Sequence, residues 1–595
     1  MYRYDVNKRI FGASLLLASQ FSFADTQYQL NITDGAHQLG DVKVTFDTTS
    51  AQYIDAKLPA WRTGRYSILD LAKGVRYFEA KDAQGEKLKW QKIDKSTWRV
   101  FVPKATEVSL HYQVYANELG LRARHIDDSH AFIDASGFFM YAEQTRDEPV
   151  SVQLNVPDGW RSVSGMKTGA NEHHFVAASY DVLVDSPIET GINELHSFSV
   201  DNRDYELVIW GEGNYDATKM VEDLTTLVQT GDVIWDGYPY QRYVFMVHAT
   251  SGARGATEHL NSTIIQRQRD KFAKREDYLG FIATAAHEFI HTWNVKAYRP
   301  KGMAKYDYVE PNYTNLLWLS EGSTSYLEDH LLLRAGLMTK KEFYKDLAKR
   351  VNRHLETPGR TVQSAAHTSF DSWINQGGDH ARNFSTNIYA EGSLLSMALD
   401  LKLLQESHGK VSYRDVHRQL YNKHPLPYGF TEQDVINILT ELSGQDYSQW
   451  WADNVTSPMA LDFDALLSSV GLQRVPAKDA KPIPTLDVTG KLDNGLVKLD
   501  HVRRGGVSWR AGLNAGDTLV AINERRISTD LVTLLKQYQV GESVSVSYFR
   551  RDRLYHAEVI LGQTYDKDMV IQAVDNPTSK QKSLFKAWMG VDLTH

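Results

Sequence analysis

The sequence predicts a multi-domain α+β chain: a β-sandwich-like amino-terminal domain, a middle domain that opens as α/β and continues as helices, and a β-rich carboxy-terminal module. Three observations carry that prediction. At 595 residues the chain exceeds what one hydrophobic core serves. Apolar residues alternate with period two from about residue 25 to 200, then shift toward helical spacing. Pro476, Pro482 and Pro484 punctuate the chain before a last run of short strands.

The first segment reads as an address. Arg3, Lys8 and Arg9 precede a small or apolar run from Ile10 to Ser19, and Ser22-Phe23-Ala24 places small residues where a signal peptidase reads, so residues 1–24 are expected to be a cleaved signal peptide. The run is well short of the roughly 20 residues that span hydrocarbon, so no membrane span is expected after cleavage. With no cysteine, any metal must be held by His and carboxylate, and a large core without disulfides suits a bacterial periplasm, with secretion as the second reading. A formal net charge of −8 with no long basic run argues against nucleic acid as a partner.

Between 25 and 200, segments such as Val42–Phe46, Trp98–Val102, Val108–Val114 and Val150–Val156 alternate apolar and polar residues between Gly, Asp and Pro-Asp-Gly turns, the pattern of a sandwich. Leu58-Pro-Ala-Trp61-Arg-Thr-Gly64-Arg-Tyr66 joins aromatics, a glycine and two arginines in a loop, open between turn chemistry and a substrate role.

From 201 a mixed sheet is expected, with strands at Tyr205–Trp210 and Tyr243–Val247 and a helix from Ala217 between them. A helix then carries His287-Glu288-Phe-Ile-His291. Residues four apart lie about 40° apart around a helix, so both imidazoles can grip one ion. Glu288, about 100° from His287, can take a proton from a water held there without being a ligand itself. Ile282, Ala286, Phe289, Ile290 and Trp293 give that helix its buried face. Zinc held by two histidines needs a third protein ligand and an open position. Glu321, on a second helix expected from Tyr313 to Arg334, is the choice, with Glu328 and Asp329 as competitors two turns on. Further helices are expected at Lys340–His354, Gly392–Ser407, Tyr413–Lys423 and Glu432–Ser443, and the loop from His367 to Asn387 is open between a cleft entrance and a surface excursion.

These residues resemble the glycyl aminopeptidase family of zinc metallopeptidases. His287-Glu-Phe-Ile-His-Thr-Trp-Asn-Val-Lys296 is similar to its zinc helix, Leu319-Ser-Glu-Gly322 to its third-ligand segment, and Leu58-Pro-Ala-Trp61 to its amino-terminal signature. The resemblance implies a thermolysin-like catalytic domain with one Zn2+ per chain on His287, His291 and Glu321, peptide substrates with a free amino terminus, and removal of small residues such as glycine or alanine. It also implies two further sites. Gly255-Ala-Thr-Glu258-His259 is similar to a segment whose glutamate anchors the substrate amine, marking Gly255 and Glu258 as substrate-binding; Ile388-Tyr389-Ala-Glu-Gly392 is similar to an element whose tyrosine faces the oxyanion, marking Tyr389 as catalytic. A periplasmic endopeptidase fed by the last module and a non-catalytic, zinc-stabilised peptide-binding protein are the alternatives.

The last module, with Ser508-Trp-Arg-Ala-Gly512-Leu-Asn-Ala-Gly516-Asp517 and Gly541–Tyr548, resembles a PDZ domain, which adds a peptide or protein segment to a sheet edge. Its carboxylate loop departs from that pattern at Thr485-Leu-Asp487-Val488, where Asp487 would repel a carboxylate. The expected division is therefore signal peptide 1–24, β-rich domain 25–200, catalytic domain 201–475, PDZ domain 476–565 and a tail 566–595 without a readable role.

Overall fold

The structure, a computed structural model, describes residues 26–49, 52–374 and 377–593. The expected signal peptide lies outside the described residues. The β-rich region follows the alternation: Val42, Val44 and Phe46 of strand Leu39–Thr49 are buried against Val108, Leu110 and Val114 of strand Thr106–Tyr115, its antiparallel neighbour. These belong to a seven-stranded sheet, which shares a core with a three-stranded sheet (Tyr53–Lys57, Trp90–Lys92, Thr97–Phe101) and a five-stranded one built around His130–Ile133 and Ile188–Gly191.

The middle sheet begins earlier than expected. Strand Asn193–Val200 pairs antiparallel with Arg203–Trp210 along its whole length, so the boundary expected at 200 falls inside a hairpin. Its two-residue turn, Asp201-Asn202, has φ of 48° and 61°, the left-handed pair that matches the twist of the flanking strands and that Asp and Asn tolerate best after Gly. Arg203–Trp210, Arg242–Thr250 and Ser262–Gln268 run parallel to one another, and Gly255–Glu258 forms an antiparallel edge. Helix Ala217–Val228 makes the expected crossover.

Helix Arg275–Ile290 packs against this sheet, burying Ile282, Ala286, Phe289, Ile290 and Trp293 in one core with Tyr243, Phe245 and Val247. The second helix starts later than Tyr313: residues 313–316 are irregular, Trp318–Gly322 is a π-helical turn, and Ser323–Arg334 is α-helical. Helices Lys340–Glu356, Ile388–Glu406, Tyr413–Lys423 and Glu432–Ser443 complete the domain, and their starts are capped by Thr339, Asn387, Ser412 and Thr431.

The carboxy-terminal module is an insertion. Leu472–Pro476 pairs with Met569–Ala573 and Pro482–Thr485 with Gly562–Tyr565, so the proline-rich stretch is the outgoing half of a ribbon on which the chain returns. Between them, a sheet ordered Val488–Asp493, Leu496–Val502, Thr518–Ile522, Ser543–Arg550, Arg553–Ile560 encloses its own core with the short helices Val507–Arg510 and Leu531–Leu535. Asp487 turns inward here: its Oδ2 accepts the Val507 N–H at 3.0 Å, and φ at Asp487 is 55°. The tail returns to the middle domain. Helix Ser579–Met589 buries Phe585 and Trp588 in the main core, where Trp588 Nε1 donates to the Tyr326 hydroxyl at 2.6 Å. Among the described residues no helix is long and apolar enough to cross a membrane.

Candidate metal centre

His287 ends the last turn of helix Arg275–Ile290, His291 caps it, and Glu321 projects from the π-helical turn opposite. Their atoms form a triangle: His287 Nε2 to His291 Nε2 3.1 Å, His291 Nε2 to Glu321 Oε2 3.3 Å, His287 Nε2 to Glu321 Oε2 3.6 Å. Tetrahedral zinc with bonds of about 2.0–2.1 Å holds its ligand atoms about 3.3 Å apart, so the triangle already has the edges of a metal face.

The outer nitrogens decide what the inner ones can do. His287 Nδ1 lies 2.9 Å from Glu328 Oε2, and His291 Nδ1 lies 2.8 Å from the Asn294 carbonyl; both partners can only accept, so each Nδ1 carries the proton. Both Nε2 atoms then present lone pairs to one another at 3.1 Å beside a carboxylate. No hydrogen bond can join two acceptors; a cation can. Asn294 also fixes the distance between the helices, since its amide donates to the Leu319 and Ser320 carbonyls and to Thr324 Oγ1 at 3.0–3.1 Å. Of the competitors for the third position, Glu328 stands behind His287 instead of on a solvated face, and Asp329 pairs with Arg350 at 2.9 Å.

Glu288 is buried, its Oε2 has no hydrogen-bond partner, and burial, against the pull of the neighbouring imidazoles, raises its carboxyl to about 7. Burial also acts on Glu321, but His291 and His287 outweigh it and hold that carboxyl well below the usual range. Tyr389 opens helix Ile388–Glu406, its N–H capped by Asn387, with its ring centroid 6.0 Å from that of His287 and its phenol pushed up by burial and by Glu321. Its placement depends on Gly392: a Cβ there would lie 2.2 Å from the Trp318 carbonyl oxygen, and one on Gly322 would lie 2.4 Å from Gly392 Cα. The helix bearing Tyr389 and the turn bearing Glu321 thus touch backbone to backbone.

Glu258 ends the edge strand, is buried, and lies with Gly255, Ala256, Glu288 and Tyr389 around a cavity of about 440 Å³ over the triangle. All seven residues singled out in the sequence therefore meet at one cavity. A second cavity of about 700 Å³ continues from it, sharing Gly64, Arg122, Ala256 and Tyr389 and lined by Asp371, His380 and Phe384, so the His367–Asn387 segment forms the cleft's wall.

Sequence reasoning missed what the β-rich domain contributes. Tyr66 donates to Glu321 Oε1 at 2.6 Å, and a Cβ on Gly64, whose φ is 72°, would lie 2.6 Å from Glu258 Oε2. Lys296 Nζ lies 2.7 Å from Asp185 Oδ1 and 3.9 Å from Glu258 Oε1, and Asp185 also accepts from Thr63. The Leu58–Tyr66 loop is thus part of the centre, pinned by Trp61 Nε1 donating to the Asp307 carbonyl at 2.8 Å. Its unusual composition was the available signal.

The fold and this site define a metallo-aminopeptidase, a hydrolase of peptide bonds. Residues 27–192 match the family model of the Peptidase M61 N-terminal domain and residues 280–395 that of M61 glycyl aminopeptidase, the family that the sequence resembles. An aminopeptidase N family protein from Idiomarina loihiensis is similar in structure at 26% identity, with a TM-score of 0.87 over 94% of this chain and 100% of that one. More distant matches are an M1 zinc metallopeptidase from Deinococcus radiodurans (14% identity, TM-score 0.44, 70% of this chain and 90% of that one) and yeast LTA4 hydrolase (16%, 0.46, 75% and 70%). No curated protein matches.

Proposed function

We propose that this chain is a zinc aminopeptidase that removes single small residues, glycine or alanine, from the free amino terminus of peptides. The observation that carries it is the pair of Nε2 lone pairs and the carboxylate spaced 3.1–3.6 Å apart, with an unpartnered buried Glu288 and a buried Glu258 on the same cavity. His287, His291 and Glu321 hold one zinc per chain, which supplies Lewis acidity and lowers the pKa of water. Glu288 accepts a proton from the attacking water and delivers it to the departing amine nitrogen. The Tyr389 hydroxyl donates to the carbonyl oxygen as negative charge grows on it, an interaction that strengthens only on the way to the transition state. Glu258 pairs with the substrate ammonium and so counts from the amino terminus; Gly255, with φ of 116°, opens the same strand on the cavity wall.

The address-like residues 1–24 support export to a bacterial periplasm, and the sheet with its two short helices supports a PDZ-type module. The module's docking residues meet the cleft wall: Asp379 Oδ1 accepts from His501 Nδ1 and the Val502 N–H at 2.8 and 3.0 Å, while His380 and Phe384 of that helix line the cleft.

The test compares a peptide with its amino-acetylated twin. The free amine is expected to be hydrolysed at least about 100-fold faster, and equal cleavage would replace the reading with an endopeptidase. Glu288→Gln should retain zinc while kcat falls by about 10³-fold or more; undiminished turnover would sink the proton-transfer assignment.

A further inference from the structure

Arg122 stands in the wall shared by the two cavities, only 8% exposed, and among the described residues no carboxylate lies within ion-pair distance of it. Every hydrogen bond it makes goes to a neutral acceptor: Nε to Thr257 Oγ1 at 2.9 Å, and Nη1 to the carbonyls of Arg254 (3.0 Å) and Gly120 (3.4 Å) and to Gln266 Oε1 (3.4 Å). Those bonds hold Nε and Nη1 and leave Nη2 uncommitted. A nearly buried cation without an anion is costly, and the surroundings raise the cost. Burial lowers the Arg122 pKa and Arg65 lowers it again, and the more distant carboxylates of Glu288 and Glu258 offset this only in part. Arg62, fully buried with Nη2 unpartnered, is pushed down to about 9 by burial and then by Arg122 itself. Three arginines thus converge, and none of the nearby carboxylates reaches Arg122 directly.

The backbone is bent to put the side chain there. Arg122 has φ of 53°, left-handed for a non-glycine residue and therefore strained. Gly255 makes the space, since a Cβ at that position would lie 2.7 Å from Arg122 Nη1. The guanidinium therefore lies beside the first residue of strand Gly255–Glu258, and Glu258 is the last. Arg122 and Glu258 both line the same cavity of about 440 Å³, so a peptide that joins them is short.

We propose that Arg122, with Arg65 beside it, seats the terminal carboxylate of a peptide of two or three residues whose ammonium is held at Glu258. This rests on the aminopeptidase reading and names its substrate class. The chain measures short peptides at both charged ends: the carboxylate supplies the contacting anion that Arg122 lacks, and a longer or amidated peptide leaves that cation without one in the occupied cleft.

The experiment is steady-state kinetics on trialanine, trialaninamide and pentaalanine. Wild-type kcat/KM should favour the free tripeptide over its amide by about tenfold or more, mostly through KM, and over the pentapeptide in the same direction. Arg122→Gln should bring acid and amide within about twofold of each other, and Arg122→Lys should keep part of the preference. Equal kcat/KM for acid and amide on the wild-type chain overturns the proposal whether or not the variants fold. It leaves the aminopeptidase reading standing, because that reading falls only if amino-acetylation has no effect. A third arm uses Ala-Ala-Glu amide: an advantage seen with this side-chain carboxylate and absent with the terminal one would also overturn the assignment.

Discussion

Among the described residues, two clusters each contain two histidines and a glutamate, and only in one do the hydrogen-bond partners turn all three toward a common point. In the first, His287, His291 and Glu321, both outer nitrogens face obligate acceptors, so both inner nitrogens offer lone pairs to a common point. In the second, His130, Glu189 and His248, the order is reversed. The Gln266 amide, oriented by donating to the Leu119 carbonyl at 2.8 Å, also faces His248 Nδ1 at 3.3 Å as a donor. His248 Nε2 must then carry the proton, which it donates to Glu189 Oε2 at 2.8 Å. His130 is held by stacking on Trp210 with centroids 3.4 Å apart, and burial lowers its pKa to about 4, leaving it neutral. Residue types are the same; the hydrogen-bond partners behind them separate a cage from a chain of donors and acceptors.

The same substitution in each cluster breaks or sharpens this contrast. Glu321→Gln replaces an anionic ligand by a neutral amide, and zinc content should fall from one per chain toward zero with kcat/KM reduced by about 10³-fold or more. Metal analysis beside kinetics reads it, and retained zinc would disqualify the triangle as the cage. Glu189→Gln should leave metal content at one per chain and activity within about twofold, while stability falls by about 1–3 kcal/mol as a buried acceptor set is disturbed. Denaturant titration reads the second effect. A wild-type content of two metals per chain that Glu189→Gln lowers to one would show that both clusters bind ions.

What was legible in the sequence follows from distance along the chain. His287, Glu288 and His291 share two helical turns, so their geometry is implied by helix pitch alone. Strands and helices declared themselves by period, and the capping Thr339 and Thr431 were seen only in the structure. Glu321 was reachable because zinc needs a third ligand, but nothing local told that Glu328 would stand behind His287. Tyr66, Asp185 and Arg122 come from the β-rich domain, 255, 111 and 135 positions from their partners Glu321, Lys296 and Thr257, and no periodicity links such residues. The insertion of the last module was hidden likewise: its closing strand, Met569–Ala573, and the helix after it pair with residues of the middle domain that the chain left long before.

The mildest expected effect lies at the start of the helix that carries the cage. Arg275 grips Glu342 with two bonds, Nε to Oε1 at 2.8 Å and Nη2 to Oε2 at 2.9 Å, and that guanidinium, chiefly, lowers the Glu342 carboxyl from 4.5 to about 2. A carboxyl lowered in the folded state stabilises above its unfolded pKa, and the stabilisation fades as pH falls toward the folded one. The contribution should thus be complete above about pH 4.5 and lost near pH 2. The Arg275 side chain is 49% exposed, so solvent screening cuts the pair to about 0.5 kcal/mol. Glu342→Gln should lower stability by that amount at pH 7 and by nothing near pH 2, with zinc content unchanged, as read by denaturant melts at the two pH values. A larger loss, or any loss of metal, would mean that the far end of the helix also positions His287 and His291, and that the cage depends on more than the partners directly behind its imidazoles.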